Sequence, residues 1–104
     1  MKTIGVHNYY VYILTNKSRT VLYTGFTNDI FNRLYWHRNP DCLIRPHFTY
    51  RYKCFYLLYY EHFQEADLAI AREKQIKGYS RIKKEKLINE FNPHWEFLND
   101  RIAN

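Results

Sequence analysis

Apolar and polar positions divide this chain into three short strand-like runs and three helical ones. From Tyr9 to Leu14 the residues are aromatic, aliphatic or β-branched, as in a central or half-buried strand. The polar connector Thr15-Asn16-Lys17-Ser18-Arg19 suits a hairpin better than a crossover, so Thr20 to Gly25 is expected to return antiparallel to the first run. On that pairing Tyr12 and Tyr23 can come close on one face. A helix pattern begins just after Gly25, with Thr27 or Asn28 as its cap and Asp29 in the first turn, where a carboxylate complements the helix dipole. Arg38 to Lys53, containing Pro40 and Pro46, loses periodicity and reads as a loop. Cys54 to Tyr60 is the strongest apolar run and reads as a buried third strand ending at Glu61. Gln64 to Lys77 reads as a helix stopped by Gly78, and Ser80 caps a last helix to about Phe91, which Pro93 terminates. Met1 to His7 reads as a short leader, and Trp95 and Leu98 as residues that pack the tail onto the body.

Two helical positions depart from a simple amphipathic pattern. Advancing about 100° per residue from Ile30 puts Leu34, His37 and Arg33 within about 60° of the apolar stripe. Arg33 is therefore aimed toward the sheet, unless its stem packs and its head reaches back to solvent. The same arithmetic from Ala66 places Glu73 in the middle of the face formed by Ala66, Ala69, Ile70 and Ile76. A carboxylate there must be paired, protonated or metal-bound, because burying it bare is costly. A salt bridge to a core-facing arginine and a metal ligand remain equal readings of Glu73.

Composition adds a polyanionic partner to the picture. The 104 residues suffice for one domain, read as 1–104 with a core of about 9–98, and the 46% hydrophobic share is that of a globular protein. Sixteen Lys and Arg against ten acids leave a net charge of +6, which favours a phosphate-rich ligand through counterion release. Eleven tyrosines mean either a sheet packed with phenol rings or a surface that touches a polymer. Arg51 and Lys53 in the loop, with His47, Thr49, Tyr50 and Tyr52, offer charge and stacking. Lys74, Lys77, Arg81, Lys83 and Lys84 form a basic run around Glu73; such runs are ordinarily solvated helix faces, but this one spans an inward-facing carboxylate.

Cys42 and Cys54 form no CxxC pair, which leaves free thiols and implies a reducing, cytoplasmic location. No apolar run approaches the ~18 residues of a membrane span. A zinc site built from His37, Cys42, His47 and Cys54 matches no common finger spacing and would draw His37 away from Arg33.

Taken together, these residues resemble the GIY-YIG nuclease family, most closely its small single-domain bacterial members. The first motif stands as Tyr10-Val11-Tyr12 and the second as Tyr23-Thr24-Gly25, tyrosine to tyrosine eleven positions apart. The match continues through Arg33 and His37, Glu73 in AREKQIKGYSRIKKEKLI, and Asn92 in NPHW, in order from Tyr9 to Leu98. Tyr10 replaces the usual first-motif glycine, Val11 its isoleucine, and Phe26 a lysine that many relatives carry.

The resemblance implies an α+β fold, a small three-stranded antiparallel sheet flanked by about three helices. It also implies a metal-dependent endonuclease, acting on DNA rather than RNA in repair or recombination. Mg²⁺ or Mn²⁺ is held by Glu73, and Arg33 meets the charge that grows on phosphate. Tyr12 is assigned to activate water with Tyr23 beside it, its pKa lowered from the usual ~10 by Arg33 and the metal, and His37 relays the proton. Asn92 orients phosphate or braces the site. A non-catalytic nucleic-acid-binding module on the same fold is the alternative. With no appended DNA-reading domain, target choice is left to weak preference or to a protein partner; oligomeric state stays open.

Overall fold

The computed structural model describes residues 8–38 and 51–102, with the backbone alone for 35–38. The expected leader, and the part of the loop holding Cys42, His47, Thr49 and Tyr50, lie outside the described residues. Strands β1 (Tyr9–Thr15), β2 (Leu22–Thr27) and β3 (Tyr56–Phe63) form one antiparallel sheet of order β2-β1-β3. Helices α1 (Ile30–Arg38), α2 (Ala66–Lys77), α3 (Arg81–Phe91) and the short α4 (Asn99–Ile102) complete an α+β fold; among the described residues α4 is one helix more than the sequence pattern shows.

Each boundary that departs from expectation has a local cause. In the hairpin, the Asn16 side-chain oxygen accepts hydrogen bonds from the Thr20 and Val21 amides at 2.8 and 3.1 Å, so β2 starts at Leu22 rather than Thr20. It then runs on to Thr27, because Phe26 and Thr27 pair with Val11 and Tyr10. Thr27 and Asn28 do not cap α1. The Asp29 carboxylate does, accepting from the Asn32 amide at 3.1 Å, while Thr27 Oγ1 accepts from the Asp29 amide at 3.0 Å. Helix α2 begins at Ala66, and Gly78 ends it in a right-handed conformation (φ −80°) rather than a left-handed one. Ser80 caps α3 as expected, its hydroxyl accepting from the Lys83 amide.

The apolar run CFYLLYY lacks alternation because β3 carries a bulge. Ile13 faces Tyr59 and Leu14 faces Leu57, which leaves Leu58 as the extra residue. Leu58 and Tyr59 consequently belong to the same core layer. That layer joins Val11 and Ile13 to Ala69, Ile76 and Ile88 beneath α2 and α3. The opposite layer joins Tyr12, Leu14 and Leu57 to Ile30 and Leu34 of α1 and to Leu98 of the tail. Pairing with Tyr9 and Tyr10 carries β3 past Glu61 to Phe63. Its outer edge is partly covered by the tail, where the Leu98 amide donates to Leu57 O and the Asn99 side chain bridges Phe55 O and the Leu57 amide.

Candidate active site

The two tyrosines meet through hairpin register. Tyr12 lies opposite Gly25, and Tyr23 is two residues before Gly25 on the same face of β2, so the rings approach to 6.4 Å between centroids. Gly25 is where Tyr12 sits. A Cβ placed on it would lie 2.5 Å from both Cζ and Oη of the Tyr12 ring. The glycine of the second motif thus makes room for the tyrosine of the first.

Tyr12 has no exposure, whereas Tyr23 is half-buried. The Arg33 side chain, entering from the first turn of α1, hydrogen-bonds to Tyr12 and acts on it as a nearby positive charge. Arg33 by itself does not produce the expected lowering of the Tyr12 pKa. Burial pushes the phenol well above the ordinary tyrosine range, Tyr23 and Glu73 add to that, and Arg33 offsets only part of it. Tyr12 is a neutral phenol at physiological pH, its oxygen accepting from the Arg33 guanidinium.

Glu73 comes from α2, which packs against β1 and β2. Its side chain is only 17% exposed, so it does face inward as the helical wheel requires, although Ile70 of the same stripe is 38% exposed. Its ion-pair partner is no core arginine but Lys77, one turn on, at 2.9 Å. The neighbouring Arg72 instead grips Glu61 of β3 through Nε and Nη2, and Glu61 also takes the Tyr59 hydroxyl. That network pins α2 to the sheet, and an exposed-looking RE dipeptide gives no sign of it.

His37 follows Arg33 by one helical turn of α1; its side chain is outside the described residues. Asn92 is 6% exposed and fully used by backbone groups. Its amide donates to Leu58 O at the bulge and to Glu96 O, and its oxygen accepts from the Glu96 amide. It braces the end of α3 against β3, on the side of β1 away from β2. Phe26, which stands where relatives carry lysine, stacks on Tyr9 at 5.9 Å in the α2–α3 layer, away from the Tyr12 face.

The basic residues are less uniform than their run in sequence. Arg51, Lys53, Lys74 and Lys83 are exposed and Lys84 is half-buried. Lys77 is shared with Glu73, and Lys83 lies over the Tyr79 ring at 4.4 Å. Arg81 has a structural part, pairing with Glu85 and donating to Thr20 O, which ties α3 to the hairpin connector.

Beside Arg33 is a cleft of about 180 Å³ lined by Thr27, Asn28, Asp29 and Asn32. Three side chains distant in sequence, Tyr23, Arg33 and Glu73, thus act on the Tyr12 phenol, with Arg33 in an open cleft. A model of the GIY-YIG catalytic domain matches residues 8–87. The chain belongs to the GIY-YIG family. This is a nuclease family whose domain implies contact with nucleic acid. A UPF0213 protein of Staphylococcus saprophyticus is 38% identical over 82 residues, covering 79% of this chain and 95% of that protein. One from Haloquadratum walsbyi is 33% identical over 82 residues, covering 79% and 88%. The solution NMR structure of a UPF0213 protein from Bacillus halodurans superposes with a TM-score of 0.55 at 30% identity, over 89% of this chain and 93% of that one.

GIY-YIG nucleases generally depend on a divalent metal. The donor set bears on which ion fits. Among the described residues no three His, Cys, Asp or Glu side chains cluster, so a caged structural zinc does not fit them. Cys54 is a buried thiol whose pKa burial raises to about 11, a poor ligand at neutral pH. The single inward carboxylate of Glu73 does fit Mg²⁺, which keeps several waters and takes phosphate oxygens as further ligands. No helix among the described residues is long and apolar enough to cross a membrane.

Proposed function

We propose that this protein is a metal-dependent endonuclease that hydrolyses phosphodiester bonds in DNA. The observation that supports it is the convergence on Tyr12 of Arg33 by hydrogen bond, of the Tyr23 ring at 6.4 Å between centroids, and of the Glu73 carboxylate by its charge. Arg33 lies in the open cleft, where its planar fork can hold two oxygens of a phosphate and stabilise the charge that builds on them. Tyr12, neutral and fixed by burial, accepts a hydrogen bond from the Arg33 guanidinium and holds it in position. Tyr23 is on the edge strand and half-buried, so water contact passes to it rather than to Tyr12. His37, one turn beyond Arg33, takes the proton of the attacking water, since imidazole titrates near neutrality. Glu73 holds Mg²⁺ or Mn²⁺, which when bound supplies positive charge to the departing oxygen. Asn92 keeps α3 seated on the bulge of β3 and so acts at a distance. The exposed cations Arg51, Lys53, Lys74 and Lys83 and the half-buried Lys84 carry the DNA backbone.

The experiment is incubation of purified protein with plasmid, single-stranded and branched DNA and with RNA, each with and without Mg²⁺ or Mn²⁺. Metal-dependent cutting, abolished in both Arg33→Ala and Glu73→Ala, is expected. Cutting that survives either change would sink the site assignment. One observation favours a second reading, a binding module without turnover: Glu73 already carries the Lys77 ammonium at 2.9 Å. Salt-sensitive DNA binding with no cleavage under any metal would establish that reading.

A further inference from the structure

A cavity of about 510 Å³ opens beside the first turn of α1, on the sheet face that carries Tyr12. Tyr10, which lines it, precedes Tyr12 by two residues, about 7 Å along the same face of β1. Tyr60, also lining it, is the cross-strand partner of Tyr12 on β3. Asn28 and Asp29 belong both to this cavity and to the smaller cleft containing Arg33, so the two spaces share a wall. A chain with a phosphate at Arg33 can therefore extend past Asn28 and Asp29 into the larger cavity.

The lining does not suit a phosphate. Its charged members are one acid and one base, Asp29 and Arg101. The Asp29 carboxylate is held by the Asn32 amide and side chain, and Arg101 pairs with Glu96 at 3.3 Å, so no net positive charge is aimed inward. Ring faces and neutral polar groups remain. Tyr10 meets Tyr60 edge-on at 6.4 Å between centroids, and Phe31 at 43% exposure adds a ring that packing does not consume. The Asn8 and Asn28 amides and the tyrosine hydroxyls present the donors and acceptors that match the edge of a base. The volume lies within the ~300–1,000 Å³ usual for small-ligand pockets.

We infer that this cavity accepts an unpaired nucleobase of the DNA strand whose phosphate lies at Arg33. The inference rests on the nuclease reading and sharpens its substrate class. In a duplex, a base has both faces stacked and its edge paired. Only a single strand, a flap, a gap or an extruded nucleotide can deliver one here. The protein therefore prefers unpaired DNA, and Phe31, Tyr10 and Tyr60 are the stacking residues.

Binding in the presence of chelator separates this inference from cleavage. Fluorescence anisotropy is read for full-length protein with three ligands of equal length: oligodeoxythymidine, its duplex with oligodeoxyadenosine, and an all-abasic strand that keeps the phosphates. Oligodeoxythymidine is expected to bind roughly 5- to 100-fold more tightly than the abasic strand, the range of one base stacked on an aromatic ring. Phe31→Ala should remove most of that difference and Phe31→Trp should keep it, with melting curves confirming the fold. Arg33→Ala should weaken both strands equally. Equal affinity for abasic and base-bearing strands, tighter binding of the duplex, or a preference untouched by Phe31→Ala would each overturn the inference. The nuclease reading fails differently: base-dependent binding intact, and no cleavage when Mg²⁺ or Mn²⁺ is restored.

Discussion

Substituting Gly25 by alanine tests whether the tyrosine of the first motif truly rests on the glycine of the second. The new Cβ would lie 2.5 Å from Cζ and Oη of Tyr12 and 2.8 Å from Cε1, against the ~3.5–4.0 Å of an ordinary carbon contact. The ring must retreat by about 1 Å. It is fully buried among Ile30, Leu34, Leu57 and Leu98, so the displacement is resisted on every side. Overpacking of that kind costs about 1–3 kcal/mol. Misaligning the hydrogen bond to Arg33 adds about 1.5–3 kcal/mol. Against this, alanine in a strand interior gains roughly 0.5–1 kcal/mol over glycine. A net loss of about 2–5 kcal/mol is expected, a large part of the ~5–15 kcal/mol of a typical domain. Urea unfolding followed by far-UV circular dichroism measures it, and a double-mutant cycle with Tyr12→Leu assigns the cause. Coupling of at least ~1 kcal/mol is expected, because leucine vacates the space that the Cβ needs. A Gly25→Ala protein as stable as the parent, or costs that add within about 0.5 kcal/mol, would refute the argument.

Other outcomes follow from the same geometry. Arg33→Lys keeps the charge and loses the fork, so cleavage should fall by about 10²- to 10³-fold in single-turnover assays while folding is retained. Among the described residues Thr24 Oγ1 is buried without a hydrogen-bond partner, so Thr24→Val should leave stability unchanged or raise it by about 1 kcal/mol; a clear loss in urea unfolding would show that the hydroxyl is satisfied. Tyr12 and Tyr59 are both held above the ordinary tyrosine pKa, chiefly by burial, so the unfolded chain releases their protons first. Their stabilising effect is complete below about pH 10 and declines above it by about 1.4 kcal/mol per pH unit for each phenol, a slope that Tyr12→Phe should reduce in thermal melts across pH 9–11.5.

The hairpin and the helix order were legible because they depend on local pattern. A five-residue connector fixes register to within a residue or two, so the approach of Tyr12 to Tyr23 could be read from spacing. The inward turn of Arg33 could likewise be read from helical periodicity. Side chains took over backbone hydrogen bonds at two departures from the pattern: Asn16 delays the start of β2, and Asn92 answers the carbonyl of Leu58 at the bulge of β3. Neither is visible without the fold. The protonation of Tyr12 was misjudged for a related reason. Nearby charge can be inferred from sequence once a site is suspected, but desolvation depends on everything that packs around the group, and here it outweighs Arg33. For Glu73 the inward direction suggested a core-facing arginine or a metal, whereas its partner is Lys77, one turn along the same helix, while Arg72 turns to Glu61.

Strand order accounts for the unequal state of the two tyrosines. β1 is the middle strand, so Val11, Tyr12, Ile13 and Leu14 are all fully buried, while β2 is an edge and leaves Tyr23 partly open. A phenol on the central strand can be fixed and aimed but not readily ionised, and a phenol on the edge can meet water but is held less firmly. The first suits an acceptor that orients Arg33; the second suits a group that handles a solvent molecule. Exchange of the two roles would require β1 and β2 to exchange places in the sheet. Measured separately, Tyr12→Phe should therefore act mainly through the arrangement of Arg33, lowering affinity for a phosphate-bearing strand even in chelator. Tyr23→Phe should leave that affinity within about twofold and slow only the cleavage step, by about 10²- to 10⁴-fold as for loss of an acid–base partner. Equal losses of binding in both variants would mean that burial does not divide the work between them.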